Sequence, residues 1–474
     1  MLQELGIQNF KGWKDTGTIK MAPITLFFGA NSSGKSSIGQ LLMLLKQTIE
    51  SPDRKAVFYP GGKNSAVQLG SYQEMVYHRN PENNIAFNYR WTLPTPLHIV
   101  DPVTDTKEPA SKKSFSGNQL HFESEVTFAE KVLQVKQFRY RLYNDRKSQE
   151  LSVNYERHKI EGKYQYQVSS EEYKLIRKQM RAWALKETVR FYGFPDEVVA
   201  YYQNAEFVQE LALEQEKLFQ SMHYLGPLRT KTDRLYTWGG ITPESVGFSG
   251  ENTVAAILAA RNRKISLKTR TSYKPLEEIL AKKLNEMGLI EDFKVNQLSD
   301  QRQEYEVKIK TKGSSDWVDL PDVGFGISQL LPVLVQCFYA PANSIIIMEQ
   351  PEIHLHPSAQ SALADVMIDV INSKENGADR NIQLIIETHS EHFLQRLQRR
   401  IAEDAVSQDK IAAYFADSTK NPATLESLQI DESGNIQNWP ENFFGDQMGD
   451  ITEQAKAAIE KRRKQSRNGS TSEQ

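Results

Sequence analysis

A chain of 474 residues has room for two or three domains with ordinary cores. Its composition, 39% hydrophobic and 25% charged, is that of a globular protein in water, and a net charge of −2 excludes a uniformly basic nucleic-acid coat. The longest apolar stretch, Leu330 to Ala340, is interrupted by Pro332 and Gln336 and is too short to span a bilayer, so no membrane partner is expected. Met1-Leu2-Gln3-Glu4 lacks the basic and apolar regions of a leader, and the lone cysteine, Cys337, cannot form an internal disulfide; the expected location is the cytoplasm.

Residues 1–28 alternate as strands do and run into Gly29-Ala30-Asn31-Ser32-Ser33-Gly34-Lys35-Ser36-Ser37, which fits G-x-x-x-x-G-K-[ST]. An apolar β-type run, Ile24 to Phe28, precedes it and a helical pattern from Ile38 to Leu45 follows. This strand–loop–helix context is the one a phosphate-binding loop needs. Gly29 and Gly34 let the backbone wrap so that successive N–H groups point inward, and the helix beginning near Lys35 adds its positive end. Lys35 is expected to reach the β- and γ-phosphates of a nucleoside triphosphate, with Asn31, Ser32, Ser33 and Ser37 around them and the Ser36 hydroxyl on Mg²⁺.

Beyond the loop, a polar stretch (50–66) leads to a strand around Ile85 to Leu93. Residues 94–118, rich in Pro, Thr, Lys and Ser, read as a loop. Four alternating segments from His121 to Val168 predict an antiparallel sheet. Helices are expected over 170–191 and 196–220, separated by Gly193-Phe194-Pro195. A strand and turn at His223–Arg229 precede a basic stretch without acids: Arg261, Arg263, Lys264, Lys268, Arg270 and Lys274. This stretch is a candidate nucleic-acid contact, against the alternative of an ordinary solvated loop. A helix (275–288) and two or three strands (293–320) lead to Asp322–Gln329, which opens another apolar helix. The last third alternates strand and helix as a parallel sheet does: Ser344 to Met348, 357–372, Gln383 to Glu387, 391–402 and Ile411 to Ala416. A hairpin at Asp431–Gly434, a charged helix (451–464) and a polar tail close the chain.

Ile345-Ile346-Ile347-Met348-Glu349 is an apolar strand ending in an acid, the form of a Walker B motif, whose carboxylate holds the Mg²⁺ shell at the strand's C-terminal edge. One strand later, Leu384-Ile385-Ile386-Glu387-Thr388-His389-Ser390 ends on the same edge, where His389 is suited to sense a γ-phosphate. His354 and His356 lack a third ligand nearby, so Glu349 and Glu352 are better explained by phosphoryl chemistry than by a histidine metal site.

These residues resemble the ABC-type ATPases of the SMC/RecF/OLD group, and more closely a bacterial AAA-like predicted ATPase family. In that family Walker B reads E-[EQ]-P-E-x-x-L-H-P and a W-P-x-x-F-F segment follows. Here those are Glu349-Gln350-Pro351-Glu352-Ile353-His354-Leu355-His356-Pro357 and Trp439-Pro440-Glu441-Asn442-Phe443-Phe444. The match covers about 1–93 and 223–445. It implies an α/β, ABC-type P-loop ATPase with a split nucleotide-binding fold; residues 94–222, which it does not explain, read from their strand and helix patterns as an inserted α+β lobe, and a charged helix and tail follow 445. By the same resemblance Ser328, in Gly326-Ile327-Ser328-Gln329, stands where a signature loop meets the γ-phosphate held by another subunit. His389 matches the switch histidine, and the Q-loop glutamine is Gln68 or Gln73.

Gln350 takes the position where ABC ATPases usually carry a glutamate that polarises the attacking water. A carboxamide orients water but accepts no proton at neutral pH. Either turnover is slow and the ATP-bound dimer long-lived, or Glu352 or another group supplies the base. The resemblance thus implies an ATP- and Mg²⁺-dependent, dimerising conformational switch, with Glu349, Gln350, Glu352 and His389 as catalytic residues. It would act in bacterial DNA transactions or antiphage defence with a separately encoded effector. The alternative is a self-contained OLD-like nuclease, but the residues after 405 carry no D-x-D pair for its metals.

Overall fold

The computed structural model describes residues 1–101, 114–144, 146, 148–179, 184–267, 272–440, 443, 452–459 and 461. Strands β1 (Leu2–Phe10) and β2 (Trp13–Lys20) form a hairpin, and β3 (Ile24–Gly29) leads through the glycine-rich loop into α1 (Lys35–Glu50). β3 belongs to a six-stranded sheet ordered Thr424–Leu428, Ile411–Asp417, β3, Gln383–Glu387, Ile345–Glu349 and β9 (Met222–Leu225). All its pairings are parallel except the outermost, Thr424–Leu428 against Ile411–Asp417. One strand thus comes from the first 30 residues, one follows the lobe directly, and four come from the last third, as a split nucleotide-binding fold requires.

The parallel strands are buried on both faces, and alternation divides them between two cores. Phe27, Ile345, Ile347 and Ile385 join the core that contains α1. Leu26, Phe28, Ile346, Met348, Leu384 and Ile386 face the other, built from the helices Phe325–Tyr339, Pro357–Ile371 and Glu391–Ala402. Among the described residues no helix is long and apolar enough to cross a membrane.

A second, seven-stranded antiparallel sheet runs β2-β1-β4-β5-β6-β7-β8, where β4 is Ile85–Val100, β5 Ser114–Ala129, β6 Val132–Tyr143, β7 Gln149–Ile160 and β8 Lys163–Ser169. The lobe therefore grows out of the N-terminal hairpin through β4, which crosses the boundary expected at 93/94. Residues 94–100 and 114–118, expected as loop, are strand. Ile99 and Phe115 are buried opposite one another, and Pro94 and Pro96 sit in the register shift between Thr92 and Leu97, where missing ladder donors are tolerated. The rest of that expected loop, 102–113, lies outside the described residues.

The helix expected over 170–191 is absent among the described residues of that segment. Its backbone is engaged elsewhere: Asn204 Oδ1 accepts from the Ile176 N–H, Lys178 N–H donates to Tyr201 O, and Gln203 N–H donates to Ile176 O. Long-range pairing has overridden helix propensity there. The second expected helix is broken into Asp196–Tyr201 and Phe207–Gln220. Helices Leu276–Glu286, Pro357–Ile371 and Glu391–Ala402, and the turn closed by Asp431 and Asn435, match the sequence reading closely.

Candidate functional site

The glycine-rich loop is fixed from three sides. Gly29 (φ 142°) passes so close to Ala416 O that a Cβ would lie 2.5 Å from it, and Gly34 (φ 94°) lies under the Trp13 ring, 3.1 Å from where a Cβ would be. Trp13 Nε1 donates to Gly34 O at 3.0 Å. Ser32 also adopts a left-handed φ of 61°, a conformation that costs energy in a residue with a side chain. Lys35 is buried and folds back over the loop, donating to Gly29 O (3.0 Å) and Ala30 O (2.7 Å). Burial lowers its pKa, and Glu387 pulls it partly back. The first turn of α1 contains no acid, so its N–H groups and positive end face the loop without a built-in counter-charge. Asn31 and Ser32 are exposed on the rim. The Ser37 hydroxyl instead donates to Gly34 O and serves the helix.

Opposite the loop stands the sheet edge. Glu349 and Glu387 are register partners on adjacent parallel strands, so alternation puts both on the face that α1 covers. Glu349 is buried and accepts from Tyr224 Oη at 2.7 Å. Burial, then the neighbouring Glu387, push its pKa up to about 7, while the Tyr224 hydroxyl and Lys11 oppose the rise. Burial also raises Glu387, against the Ser36 hydroxyl and Lys35. Its Oε1 is 4.0 Å from Lys35 Nζ.

Glu352 is buried too, and its Oε1 accepts the His389 N–H at 2.8 Å. It therefore clamps the backbone carrying His389. Gln350 has a φ of 45° and His354 a φ of 65°, so strained backbone is concentrated just past the acidic strand end. Gln350 N–H donates to Glu387 O at 2.8 Å, tying the two strand ends together. The exposed His389 side chain lines a cavity of about 730 Å³ with Gly29, Ala30, Phe415 and Phe443. Partial burial, then Lys35, hold its pKa down, favouring neutral imidazole. Phe443 packs against Phe28 and Phe415 at centroid distances of 5.3 and 5.0 Å, so its ring lies on the far face of the P-loop strand. Glu441, Asn442 and Phe444 lie outside the described residues.

Of the residues singled out in the sequence, the structure brings Gly29 to Ser37, Glu349, Gln350, Glu352 and His389 to one edge. Ser328 is different: it is buried, and its hydroxyl donates to Phe325 O at 2.7 Å within its own helix turn. The outward surface there is Gly324 and Phe325, the latter 58% exposed. Arg263 is corrected as a nucleic-acid contact. Its guanidinium is committed inside the chain, to Glu375 through Nε (2.5 Å) and Nη2 (2.6 Å), with Nη1 and Nη2 also on backbone carbonyls. Arg261 Nη2 donates to Val295 O at 2.8 Å. Lys264 is exposed, and Lys268 and Arg270 lie outside the described residues. Gln68 and Gln73 are both exposed, and Gln68 donates to Lys63 O. Sequence reasoning assigned no role to Trp13, Tyr224, Arg229 or Glu387. Arg229 follows the β9 turn, donates to Glu349 O at 3.4 Å, and has its pKa lowered to about 10 by burial against the pull of Glu352.

A model described as an AAA ATPase domain matches residues 1–224 and 229–394, and one described as a protein of unknown function (DUF3696) matches 406–454. An "ATP/GTP phosphatase" of Helicobacter pylori is 31% identical over 137 residues, 29% of this chain and 35% of that protein, so the match spans about a third of that relative's length. Among solved structures, an Smc head bound to the C-winged helix domain of ScpA aligns with a TM-score of 0.40 at 11% identity, covering 90% of this chain and 98% of that one. The SMC head domain of Thermotoga maritima aligns with a TM-score of 0.36 at 9% identity, covering 90% and 99%.

Proposed function

The chain belongs to the AAA ATPase domain family, and on that premise we propose that it is a Mg²⁺-dependent, slowly hydrolysing ATPase whose subunits close on ATP as a conformational switch. The observation that carries this reading is the convergence of Lys35 and the acid-free start of α1 with the buried carboxylates of Glu349 and Glu387 across one sheet edge. Lys35 and the α1 amides would bind the phosphates. The P-loop fits such an anion: a Cβ at Gly29 or Gly34 would strike Ala416 O or the Trp13 ring, so the tight wrap ahead of the α1 N-terminus is open to glycine alone. Ser36 and Glu349 would hold Mg²⁺, a cation suited to hydroxyl and carboxylate oxygens, which when bound neutralises charge on the transferring phosphoryl group.

The chain's own groups favour slow chemistry. The Gln350 carboxamide orients water without taking its proton, and Glu352, the next acid, spends Oε1 on the His389 backbone. Neutral His389, beside Gly29 and Ala30, is available to report on the γ-phosphate. The exposed Gly324–Phe325 surface at a helix start supports a trans contact with the nucleotide of a second subunit. The resemblance to the SMC/RecF/OLD group favours a role in bacterial DNA transactions or antiphage defence, with a separately encoded effector responding to the closed state. Sedimentation with ATP and Mg²⁺ tests the switch. Phe325→Arg is expected to leave ATP binding by each subunit within about twofold while removing ATP-dependent self-association. An ATP-dependent dimer of undiminished strength in that variant would refute the trans contact.

A further inference from the structure

The pair of register-matched glutamates raises a question that the P-loop and Walker B pattern leaves open. Among the described residues, Glu387 Oε1 has only Lys35 Nζ near it as an opposite charge, at 4.0 Å, and that ammonium already donates to two loop carbonyls. Glu387 Oε2 is buried with no hydrogen-bond partner among the described residues, on a residue 9% exposed. Beside it, Glu349 is 8% exposed and accepts a hydrogen bond from Tyr224 Oη. Two carboxylates side by side in a buried edge repel each other and lose hydration, a combination that proteins keep where a cation or a shared proton compensates. The neighbour on the open side is the P-loop, where Ser36 contributes a hydroxyl next to Glu387. Oxygen donors of this kind, completed by phosphate oxygens, suit a hard divalent cation.

We infer that Glu387 is a direct ligand of the divalent cation, with Ser36 and Glu349, so that the strand leading to His389 reports cation occupancy to that histidine. This inference rests on the nucleotide-binding reading above and assigns a function to a residue that the two motifs leave unassigned. Glu387 lies two residues before His389, and its carbonyl accepts the Gln350 N–H. A ligand at Glu387 therefore acts on the switch histidine and on the water-orienting position through one strand end.

The test uses the full chain, a fluorescent ATP analogue measured in excess chelator and in Mg²⁺, and Mn²⁺ binding followed by electron paramagnetic resonance in the presence of ATPγS. Glu387→Gln is expected to bind the nucleotide in chelator within threefold of wild type, to lose most of the strengthening that Mg²⁺ gives, and to bind Mn²⁺ at least tenfold more weakly. Glu387→Asp, which keeps the charge on a shorter arm, is expected to give an intermediate Mn²⁺ affinity, and it carries the test should Glu387→Gln fail to fold. Wild-type Mn²⁺ affinity in both variants overturns the inference. So does nucleotide binding that tightens equally with and without metal in Glu387→Gln, because Glu387 would then act only by repelling phosphate. Lys35→Ala serves as the control for the underlying reading: if wild type and Lys35→Ala bind the nucleotide alike, that reading fails. Nucleotide binding that needs Lys35 but ignores Glu387 overturns the present inference alone.

Discussion

On the proposed reading, Gln350 and Glu352 divide at the level of single residues what one glutamate does in a fast ATPase. Gln350 offers a carboxamide on strained backbone, and Glu352 is buried and bound to the His389 N–H. General-base catalysis is typically worth ~10²–10⁴-fold, so Gln350→Glu is expected to raise single-turnover hydrolysis at least tenfold. Glu352→Gln, whose amide oxygen still accepts the His389 N–H, should change it by less than about threefold. The same single-turnover assay on both variants decides between them, and loss of hydrolysis in Glu352→Gln would transfer the base role to Glu352. The acids at this edge were only partly legible in the sequence. Glu349 announces itself at the end of an apolar strand, whereas Glu387 looks like one more polar strand end. Its meaning depends on strand register, which makes it the lateral neighbour of Glu349, and register across 38 residues is not written in any local pattern.

Elements, more than motif residues, hold the P-loop in shape. The β1–β2 hairpin brings Trp13, fully buried, onto Gly34 and hydrogen-bonds its carbonyl. Trp13→Phe keeps an aromatic ring but loses that bond and some volume, and should cost roughly 1–3 kcal/mol in chemical unfolding while weakening nucleotide binding. Equal stability and affinity in the variant would make the hairpin a bystander. At the far edge of the six-stranded sheet that holds β3, β9 carries His223, close to Ser344 Oγ at 3.3 Å. Burial, then Lys46, lower its pKa to about 4. The unfolded chain takes up this proton near pH 6.5, so the contribution is present above that pH and is lost as pH falls toward 4, by at most about 3 kcal/mol. Melting curves from pH 7.5 to 4.5 should show the loss, and His223→Gln should flatten it. Helices and strands with strong periodicity were legible at this scale. The segment 170–191 was not, because Asn204 and Tyr201 draw its backbone into pairing that helix propensity cannot foresee.

Of the four sheets among the described residues, the two largest share α1 between them, with β1 and β2 in one and β3 in the other. The split of the parallel sheet was legible because both nucleotide motifs sit at strand ends far apart in the chain. The continuity of the lobe with the N-terminal hairpin was not, since β1 pairs with β4 over some 80 residues of intervening chain and alternation alone names no partner. The hairpin that sets Trp13 on the P-loop is thus also part of the lobe's sheet, and nucleotide binding is the claim on which everything else depends. Calorimetric titration of ATP with Mg²⁺ into wild type and Lys35→Ala tests it most directly. A charge-assisted contact is worth roughly 1.5–3 kcal/mol, so the account predicts saturable binding by wild type and at least a tenfold weaker affinity in Lys35→Ala with an unchanged far-ultraviolet spectrum. Equal affinity in the two proteins, or no binding by wild type, would contradict it.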